Sequence, residues 1–348
     1  MRILAIETSC DETALALIEA NGGLKNPHFK ILQSEVASQI RIHRPFGGVV
    51  PGLAKREHIK NLPILFKKLK NKNKQLTEKL DLLAVTIGPG LEPALWTGIE
   101  FSKNLKSQIS NFKCKLVGVN HIEGHLYSYL LSQKNTSSKL QFPAIALIVS
   151  GGHTTLLLMK DLTHYKKLGE TRDDAVGESF DKVARLLQLP YPGGPEIEKI
   201  SKKANKINIE FPRPMIYQKN YDFSFSGLKT SVLYYLRDLG QEKINDRLKA
   251  EIASAFQKAA FDVLIAKTFK AAEEFKAKTI ILAGGVAINK TLRNKFRAEI
   301  KKRKTKIDFF PADPKFCTDN AVMIATAAYI NELRNKKHKL IADGNLNF

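Results

Sequence analysis

The sequence predicts an α/β protein organised as two domains or as two lobes of one duplicated fold, and three observations predict it. Short apolar, β-branched runs bounded by small residues alternate with longer segments of helical period, the order in which an α/β chain lays down strands and helices. The chain has 348 residues, more than a single hydrophobic core usually organises. Two stretches, LAIETSCDETALALIE (4–19) and AIALIVSGGHTTLLLMK (144–160), share one plan: an apolar strand, a small polar turn with Ser or Thr, and a second apolar strand.

Taken in order, RILAIET (2–8), ALALIE (14–19) and KILQSEVA (30–37) read as three successive strands. A Gly/Pro loop, PFGGVVPG (45–52), precedes a helix near 54–70, in which Pro63 predicts a kink or break, because its ring removes one N–H and clashes with the preceding turn. DLLAVTI (81–87) is a strand ending in Gly-Pro-Gly, a helix follows at about 93–109, and the strand KLVGV (115–119) leads into the helix that carries HIEGH (121–125). The second half opens with the strand pair at 144–160, and TIILAGGVAINKTLRNKF (279–296) reads as strand, Gly-Gly turn and helix. The amino-terminal amides of that helix would face whatever sits over the turn. Three such turns at the ends of strand units point to one nucleotide-sized cleft, since α/β ligands sit at the carboxyl ends of strands. The competing reading is that Gly151-Gly152 and Gly284-Gly285 only supply positive φ in tight connections. Neither a Walker A nor a G-x-G-x-x-G pattern occurs, so a P-loop or dinucleotide fold gains no support.

Composition narrows the class. A hydrophobic share of 43% and a charged share of 26% are those of a soluble globular chain. No apolar stretch reaches about 18 residues, and MRILAIETSCDET meets acidic residues too early to serve as a signal peptide. The expectation is a cytoplasmic protein with no membrane partner. Cys10, Cys114 and Cys317 are odd in number and far apart, which argues against a disulfide scaffold or a Cys-based zinc ribbon and for reduced thiols. The formal net charge of +22 attracts polyanions, nucleic acid first among them. The plainer reading of KKLKNKNK (67–74), KKRKTK (301–306) and NKKHK (335–339) is solvated helix faces and ends.

HIEGH is the sharpest local signal. On a helix, positions i and i+4 stand about 5–6 Å apart on one face, so His121 and His125 can reach one cation. In the zincin signature the glutamate directly follows the first histidine. Glu123 sits one position later, turned about 100° further around the helix, and the peptidase inference fails on geometry. The histidines could instead cap, or pack on, a neighbouring lobe. A third protein ligand is needed, and a carboxylate suits a hard or borderline cation. Asp319 in FCTDNAVMIATAAY (316–329) is a candidate, although an acidic residue at a helix start is favoured by the dipole without any metal.

IETSCDET, GGVVP, GPGL, HIEGH, LIVSGGHT, DDAVGESFDKVARLL, YPGGP, FPRPM, DFSFSGLKT, LAGGVAIN and FCTDNA, spread over residues 1–330, occur in the order that resembles the TsaD family of tRNA threonylcarbamoyladenosine transferases. That family was formerly described as a glycoprotein endopeptidase, a label the HIEGH spacing does not favour. The resemblance implies an α/β fold like that of actin, the sugar kinases and the heat-shock ATPases. Two related lobes, 1–120 and 121–330, would surround a central nucleotide-binding cleft, followed by a basic tail at 331–348, with the helix at 319–334 free to pack back on the first lobe. The implied reaction moves the threonylcarbamoyl group from threonylcarbamoyl-AMP to N6 of the adenosine 3′-adjacent to the anticodon in tRNAs reading ANN codons, and releases AMP.

By the same resemblance, His121, His125 and Asp319 would hold one divalent metal ion per subunit, Fe2+ in family terms with Zn2+ or Mg2+ as alternatives. The adenylate would lie along Ile148, Val149, Ser150, Gly151 and Gly152, with Asp181, Gly194, Asn289 and Glu198 completing the pocket. Asp11 and Glu12, at the tip of the first hairpin, are candidates to accept the proton of the attacking amine; the alternative is that they are turn residues. The family works on tRNA together with the partners TsaB and TsaE in bacteria, and FPRPM and FCTDN resemble the bacterial branch. The chain departs from the family pattern at Gly52, where an acidic residue is usual, and at Pro93, Trp96 and Glu100, where smaller or apolar residues are. Two other classes stay open on the sequence. A small-molecule kinase of the same fold would need neither the His pair nor the charge, and a non-catalytic tRNA-binding assembly subunit would leave the chemistry to partners.

Overall fold

The computed structural model describes residues 1–73, 76, 78–109, 111–132, 140–206, 208–240 and 244–347. The chain forms two compact units, Met1–Lys134 with Thr318–Phe348, and Asn135–Cys317. The first unit begins with strands β1 (Arg2–Glu7), β2 (Glu12–Asn21) and β3 (His28–Ser38), a short helix α1 (Ile40–His43), and helix α2 (Pro51–Lys72). It continues through β4 (Leu82–Gly88), α3 (Glu92–Ser107), β5 (Lys115–Asn120) and α4 (His121–Tyr127). The second unit contains β6 (Ala144–Val149), β7 (Thr154–Met159), β8 (Tyr165–Glu170), α5 (Val176–Leu186), α6 (Gly193–Ser201), α7 (Ser226–Leu239) and α8 (Asp246–Glu274). Strand β9 (Thr279–Ala283), helix α9 (Lys290–Arg303) and strand β10 (Asp308–Pro311) complete it, and the chain then returns to the first unit with α10 (Ala321–Leu333).

Each unit is built on a five-stranded sheet, ordered β3-β2-β1-β4-β5 in the first and β8-β7-β6-β9-β10 in the second. In both, the first three strands pair antiparallel and the last two join the first in parallel. The weak repeat between 4–19 and 144–160 is thus the leading hairpin, β1–β2 and β6–β7, of one topology used twice. The two stretches are alike because each makes the same hairpin and must bury both of its faces.

Both faces of the first sheet are buried, which is why β1 and β4 read as continuous apolar runs rather than alternating ones. Leu4, Ile6, Leu15, Leu17, Leu83 and Val85 form a core with Leu62, Leu65 and Leu69 of α2 and with Ile99 and Leu105 of α3. The intervening residues, equally buried, lie on the other face, where α10 packs on β1 and β2. Almost every residue of α10 is buried, so its apolar sequence belongs to a central helix. Among the described residues no helix is long and apolar enough to cross a membrane.

Two sequence expectations are corrected here. The boundaries placed at 121 and 331 differ from the observed division. Helix α4 follows the last strand of the first sheet without a linker, and α10 supplies that sheet's second cover, so both stay with the first unit. Pro63 does not break its helix, which runs from Pro51 to Lys72. Pro63 lies on the exposed side, while Ala54, His58, Leu62, Leu65 and Leu69 keep a buried stripe at helical spacing. Tertiary packing of that stripe outweighs one lost hydrogen bond.

Candidate metal centre and ligand turns

The metal candidates all lie in the first unit. Strand β5 ends at Asn120, whose side chain caps α4 by accepting from the amides of Ile122 (2.8 Å) and Glu123 (3.4 Å). Capping here fixes the first turn of a helix only seven residues long, and with it the directions of both histidines. Asp319 stands just before Asn320, which caps α10 by accepting from the Met323 amide at 3.0 Å. Asp319 Oδ1 lies 3.5 Å from His121 Nε2 and 3.2 Å from His125 Nε2. Ligand atoms of His121, His125 and Asp319 all fall within 4.8 Å of one another.

The donor set fits a divalent cation. His125 is fully buried, yet neither of its ring nitrogens has a hydrogen-bond partner among the described residues, and the nearest carboxylate to Nε2 is that of Asp319, 3.2 Å away. A buried imidazole without hydrogen bonds is costly unless its lone pair serves as a ligand. His121 Nδ1 lies 3.1 Å from Glu7 Oε2 and 3.1 Å from Ser9 Oγ, which turns Nε2 towards Asp319. This is the carboxylate–histidine arrangement that orients metal-binding imidazoles. Thr86 Oγ1 donates to the same Glu7 oxygen at 2.6 Å, so the orienting carboxylate is itself fixed.

The electrostatics agree. Burial opposes ionisation of Asp319, but the charge of His121 outweighs it and holds the carboxyl far below the usual range. Burial likewise works against charge on His121, yet Asp319 and Glu7 raise its pKa well above normal. Burial lowers that of His125, which keeps its ring neutral and able to ligate. A bound cation would take the place of the His121 proton. Glu7→Gln should keep the fold and weaken divalent-metal affinity on the order of ten-fold or more, measured by Co2+ titration. An unchanged dissociation constant would remove Glu7 from the orienting role.

Glu123 lies away from this cluster. It is fully buried and accepts from Asn331 Nδ2 (2.7 Å), Lys336 Nζ (2.7 Å) and the Arg334 guanidinium; against the opposing effect of burial, His338, Lys336 and Arg334 hold its carboxyl well below the usual carboxylate range. The residue that a peptidase would aim at its metal-bound water is committed to a structural ion cluster. The basic run at 335–339 is accordingly not a purely solvated end, because Lys336 reaches into this cluster. The run at 301–306 is mostly exposed, and the run at 67–74 forms the last turns of α2 as far as Lys72, its last residue lying outside the described ones.

Asp11 is buried beside the same strand end, and its carbonyl accepts from the Gln39 amide at 2.9 Å. Glu12 accepts from Ser38 Oγ at 3.2 Å, and burial, followed by the charges of Asp11 and Asp319, pushes its pKa up to about 10. As it stands Glu12 holds a proton at neutral pH; a cation beside Asp319 would offset part of that repulsion. The loop that carries both acids is pinned by His58, whose Nε2 donates to the Cys10 carbonyl at 2.9 Å while Nδ1 accepts from Thr13 Oγ1 at 2.8 Å.

The second unit holds the other candidates. The side chains of Ile148 and Val149 are fully buried in β6, so only their backbone could meet a ligand. Ser150 closes a tight turn, its amide donating to His153 O at 2.8 Å and its Oγ accepting from the His153 amide at 3.1 Å. Gly151 and Gly152 at the tip are exposed, and a Cβ on either would meet nothing, so local packing does not explain them. Gly177, at the start of α5, packs against the turn so closely that a Cβ would come 2.5 Å from Ser150 O. Asp181 accepts from the Gly193 amide at 2.7 Å, tying α5 to α6, while Gly194 beside it faces open space. Glu198 accepts from the Lys290 amide at 3.2 Å and from Lys202 Nζ at 2.9 Å. Asn289 caps α9 through the Leu292 amide (3.1 Å) and donates to Gln257 Oε1 at 3.0 Å. A 3-10 turn, Gly285–Ile288, intervenes between β9 and α9, so the Gly-Gly turn does not lead straight into the helix.

Sequence reasoning missed Glu7, Ser9, His58, Gly177 and Gln257. Only Glu7 left a signal, an acidic residue directly after the apolar run Ile3–Ile6 of β1. Of the departures, Gly52 is exposed near the start of α2, whereas Pro93, Trp96 and Glu100 line one surface pocket with Lys55 and Glu92. None of the four is among the candidate metal ligands.

A family model described as TsaD, tRNA N6-adenosine threonylcarbamoyltransferase, matches residues 30–326. Proteins named tRNA N6-adenosine threonylcarbamoyltransferase are similar along nearly the whole chain. That of Thermosipho melanesiensis is 49% identical over 94% of this chain and 94% of the relative, that of Thermosipho africanus 47% over the same shares, and that of Clostridium kluyveri 42% over 98% and 95%. Among solved structures, full-length HypF in its phosphate- and nucleotide-bound form matches with a TM-score of 0.57 at 12% identity, over 95% of this chain and 46% of that one. HypF of T. kodakarensis matches with a TM-score of 0.58 at 14% identity, over 96% and 48%. At such identity these two likenesses concern the fold alone.

Proposed function

The chain belongs to the TsaD family of tRNA N6-adenosine threonylcarbamoyltransferases, and from that premise we propose how its residues carry the reaction. It is an acyltransferase that modifies tRNA. In our reading it moves the threonylcarbamoyl group from threonylcarbamoyl-AMP to N6 of the adenosine 3′-adjacent to the anticodon in tRNAs reading ANN codons, and releases AMP. The observation that carries the reading is the convergence of His121, His125 and Asp319, from two distant family motifs, with ligand atoms within 4.8 Å.

An exocyclic adenine amine is a poor nucleophile because its lone pair is delocalised into the ring, so catalysis rests on positioning and on activation of the carbonyl. A divalent ion bound by these three residues, most simply Fe2+ with Zn2+ or Mg2+ as alternatives, would supply Lewis-acid polarisation and a template for the acyl group. Glu7 orients His121. The exposed amides of Gly151 and Gly152 are suited to an anionic group, with Ile148, Val149 and Ser150 contributing backbone, and Asp181, Gly194, Glu198 and Asn289 framing the same turns. Asp11 is our choice for the group that accepts the amine proton, with Glu12 joining it once a cation offsets Asp319. The repeated five-strand order supports an actin-like fold with a nucleotide-binding role.

We further propose that TsaB and TsaE are its partners and that it works in the cytoplasm, in keeping with three free cysteines. The test supplies the purified protein with metal, threonylcarbamoyl-AMP, both partners and unmodified tRNA, then digests the tRNA for mass spectrometry. The modified nucleoside is expected; its absence with folded, metallated protein overturns the reading. Because the net charge is +22, tRNA affinity should fall steeply with salt. Six or more phosphate contacts would cost on the order of a thousand-fold between about 50 and 200 mM salt, measured by filter binding. A flat salt response would exclude this basic surface from tRNA binding.

A further inference from the structure

After α10 ends at Leu333, the chain runs back over the first unit and meets the metal-bearing helix at two places. At the middle of α4, Glu123 is fully buried and receives Arg334 and Lys336, the latter at 2.7 Å. At the start of α4, Asn120 Nδ2 donates to Asn347 O at 3.1 Å, from the same side chain whose Oδ1 caps the helix. Between these points the segment is fastened to the end of β4. The Asp343 amide donates to Ile87 O at 2.9 Å, and Gly344 O accepts from the Gly90 amide at 3.2 Å. Leu340, Ala342 and Leu346 pack against the core. The approach to β4 is tight, because a Cβ on Gly344 would come 2.9 Å from Gly90 O.

A seven-residue helix has too few internal hydrogen bonds to fix its own direction. We propose that residues 334–347 act as a clamp that sets the orientation of α4, and that Glu123 and Asn120 are positioning residues through which the clamp aligns His121 and His125 as ligands. The inference rests on the metal reading above. It assigns the glutamate of HIEGH a task in that site although it touches neither ligand atoms nor substrate. Fixing the helix at its cap and near its centre leaves it neither translation nor rotation about its axis, and either would change the distances from the two Nε2 atoms to Asp319 Oδ1, now 3.5 and 3.2 Å.

Co2+ absorption in the visible region, which reports ligand geometry, tests this in the full chain. Gly344→Val lifts the segment off β4 far from the histidines, Glu123→Gln removes the buried charge, and Lys336→Met loosens one tie that Lys336→Arg should restore. The expected result is a Co2+ dissociation constant raised on the order of ten-fold or more in Gly344→Val and Glu123→Gln. An altered spectrum at saturation and faster amide exchange over 121–127 are expected with it, while the rest of the fold keeps wild-type exchange. Variants that melt earlier yet bind Co2+ with the wild-type constant and spectrum would reduce the clamp to a structural tether and overturn the proposal. Should Glu123→Gln not fold, Gly344→Val and the Lys336 pair decide by the same readouts. Wild-type protein that binds no Co2+ would overturn the metal reading, and the clamp's role with it.

Discussion

Replacing His125 by alanine is expected to remove the bound divalent metal and to lower threonylcarbamoyl transfer on the order of a thousand-fold, with little loss of folding stability. The ring is fully buried and makes no hydrogen bond among the described residues, so truncation unpairs no neighbouring donor. Its loss costs the contact with the His121 ring, whose centroid is 4.7 Å away, and the 3.2 Å approach to Asp319 Oδ1, which keeps its closeness to His121, but relieves a polar group with no hydrogen bond. By contrast, several kcal/mol of transition-state stabilisation follow a Lewis acid, and each 1.36 kcal/mol is about ten-fold in rate. Asp319→Ala should lose metal as completely but behave differently in stability, because it takes from His121 one of the two carboxylates it meets, Asp319, and leaves Glu7. Elemental analysis of the purified variants, with mass spectrometry of the tRNA product, reads both effects. A His125→Ala protein that retains a full equivalent of metal would reject the site.

What the sequence disclosed, and what it hid, follows from the range of the interactions. The α/β alternation and the duplicated hairpin were legible because strand and helix period are local, and because β6 must be as apolar as β1 to lie buried on both faces. The pairing of His121 with His125 was legible for the same reason, being one helical turn. Asp319 lies almost two hundred residues further on, and no local pattern could bring it there; its chemistry made it a candidate, and only the ordered motifs of a family joined it to the histidines. The boundary at 121 was misplaced because nothing in composition ties α4 to the sheet before it; the helix at 319–334 was left free to pack on the first lobe, and α10 covers that lobe's sheet. Glu123 could be excluded from peptidase chemistry by its angle, but its true contacts, with Asn331, Arg334 and Lys336, come from a segment that reads only as a basic run. Pro63 misled because propensity is a weak prior against a buried stripe.

The second large effect concerns the turn after β9, where neighbouring glycines should respond in opposite ways. Gly284 adopts φ +93, in a region that side chains rarely enter, and a Cβ there would fall well inside contact distance of Val149 O and 2.7 Å from Val149 C. That carbonyl ends β6, whose register with β9 pairs Ile148 with Ala283 one residue earlier, so neither strand can move aside without breaking the sheet. The backbone strain costs about 1–3 kcal/mol and the overpacking about 1–3 kcal/mol more. Gly284→Ala is therefore expected to destabilise by about 2–6 kcal/mol. Displacement of the Val149–Ser150 backbone should also abolish binding of an adenylate to the Ser150–Gly152 turn. At Gly285 the φ is unremarkable, and an added Cβ would meet nothing within 4 Å, so Gly285→Ala should change stability by no more than about 0.5 kcal/mol. Urea denaturation of the two variants, followed by calorimetric titration with AMP, separates strain from ligand contact. Equal stability of the two would show that close packing of β6 on the glycine turn does not constrain the site. A stable Gly285→Ala protein that has lost AMP would mean instead that the open space beside Gly285 is where the nucleotide lies.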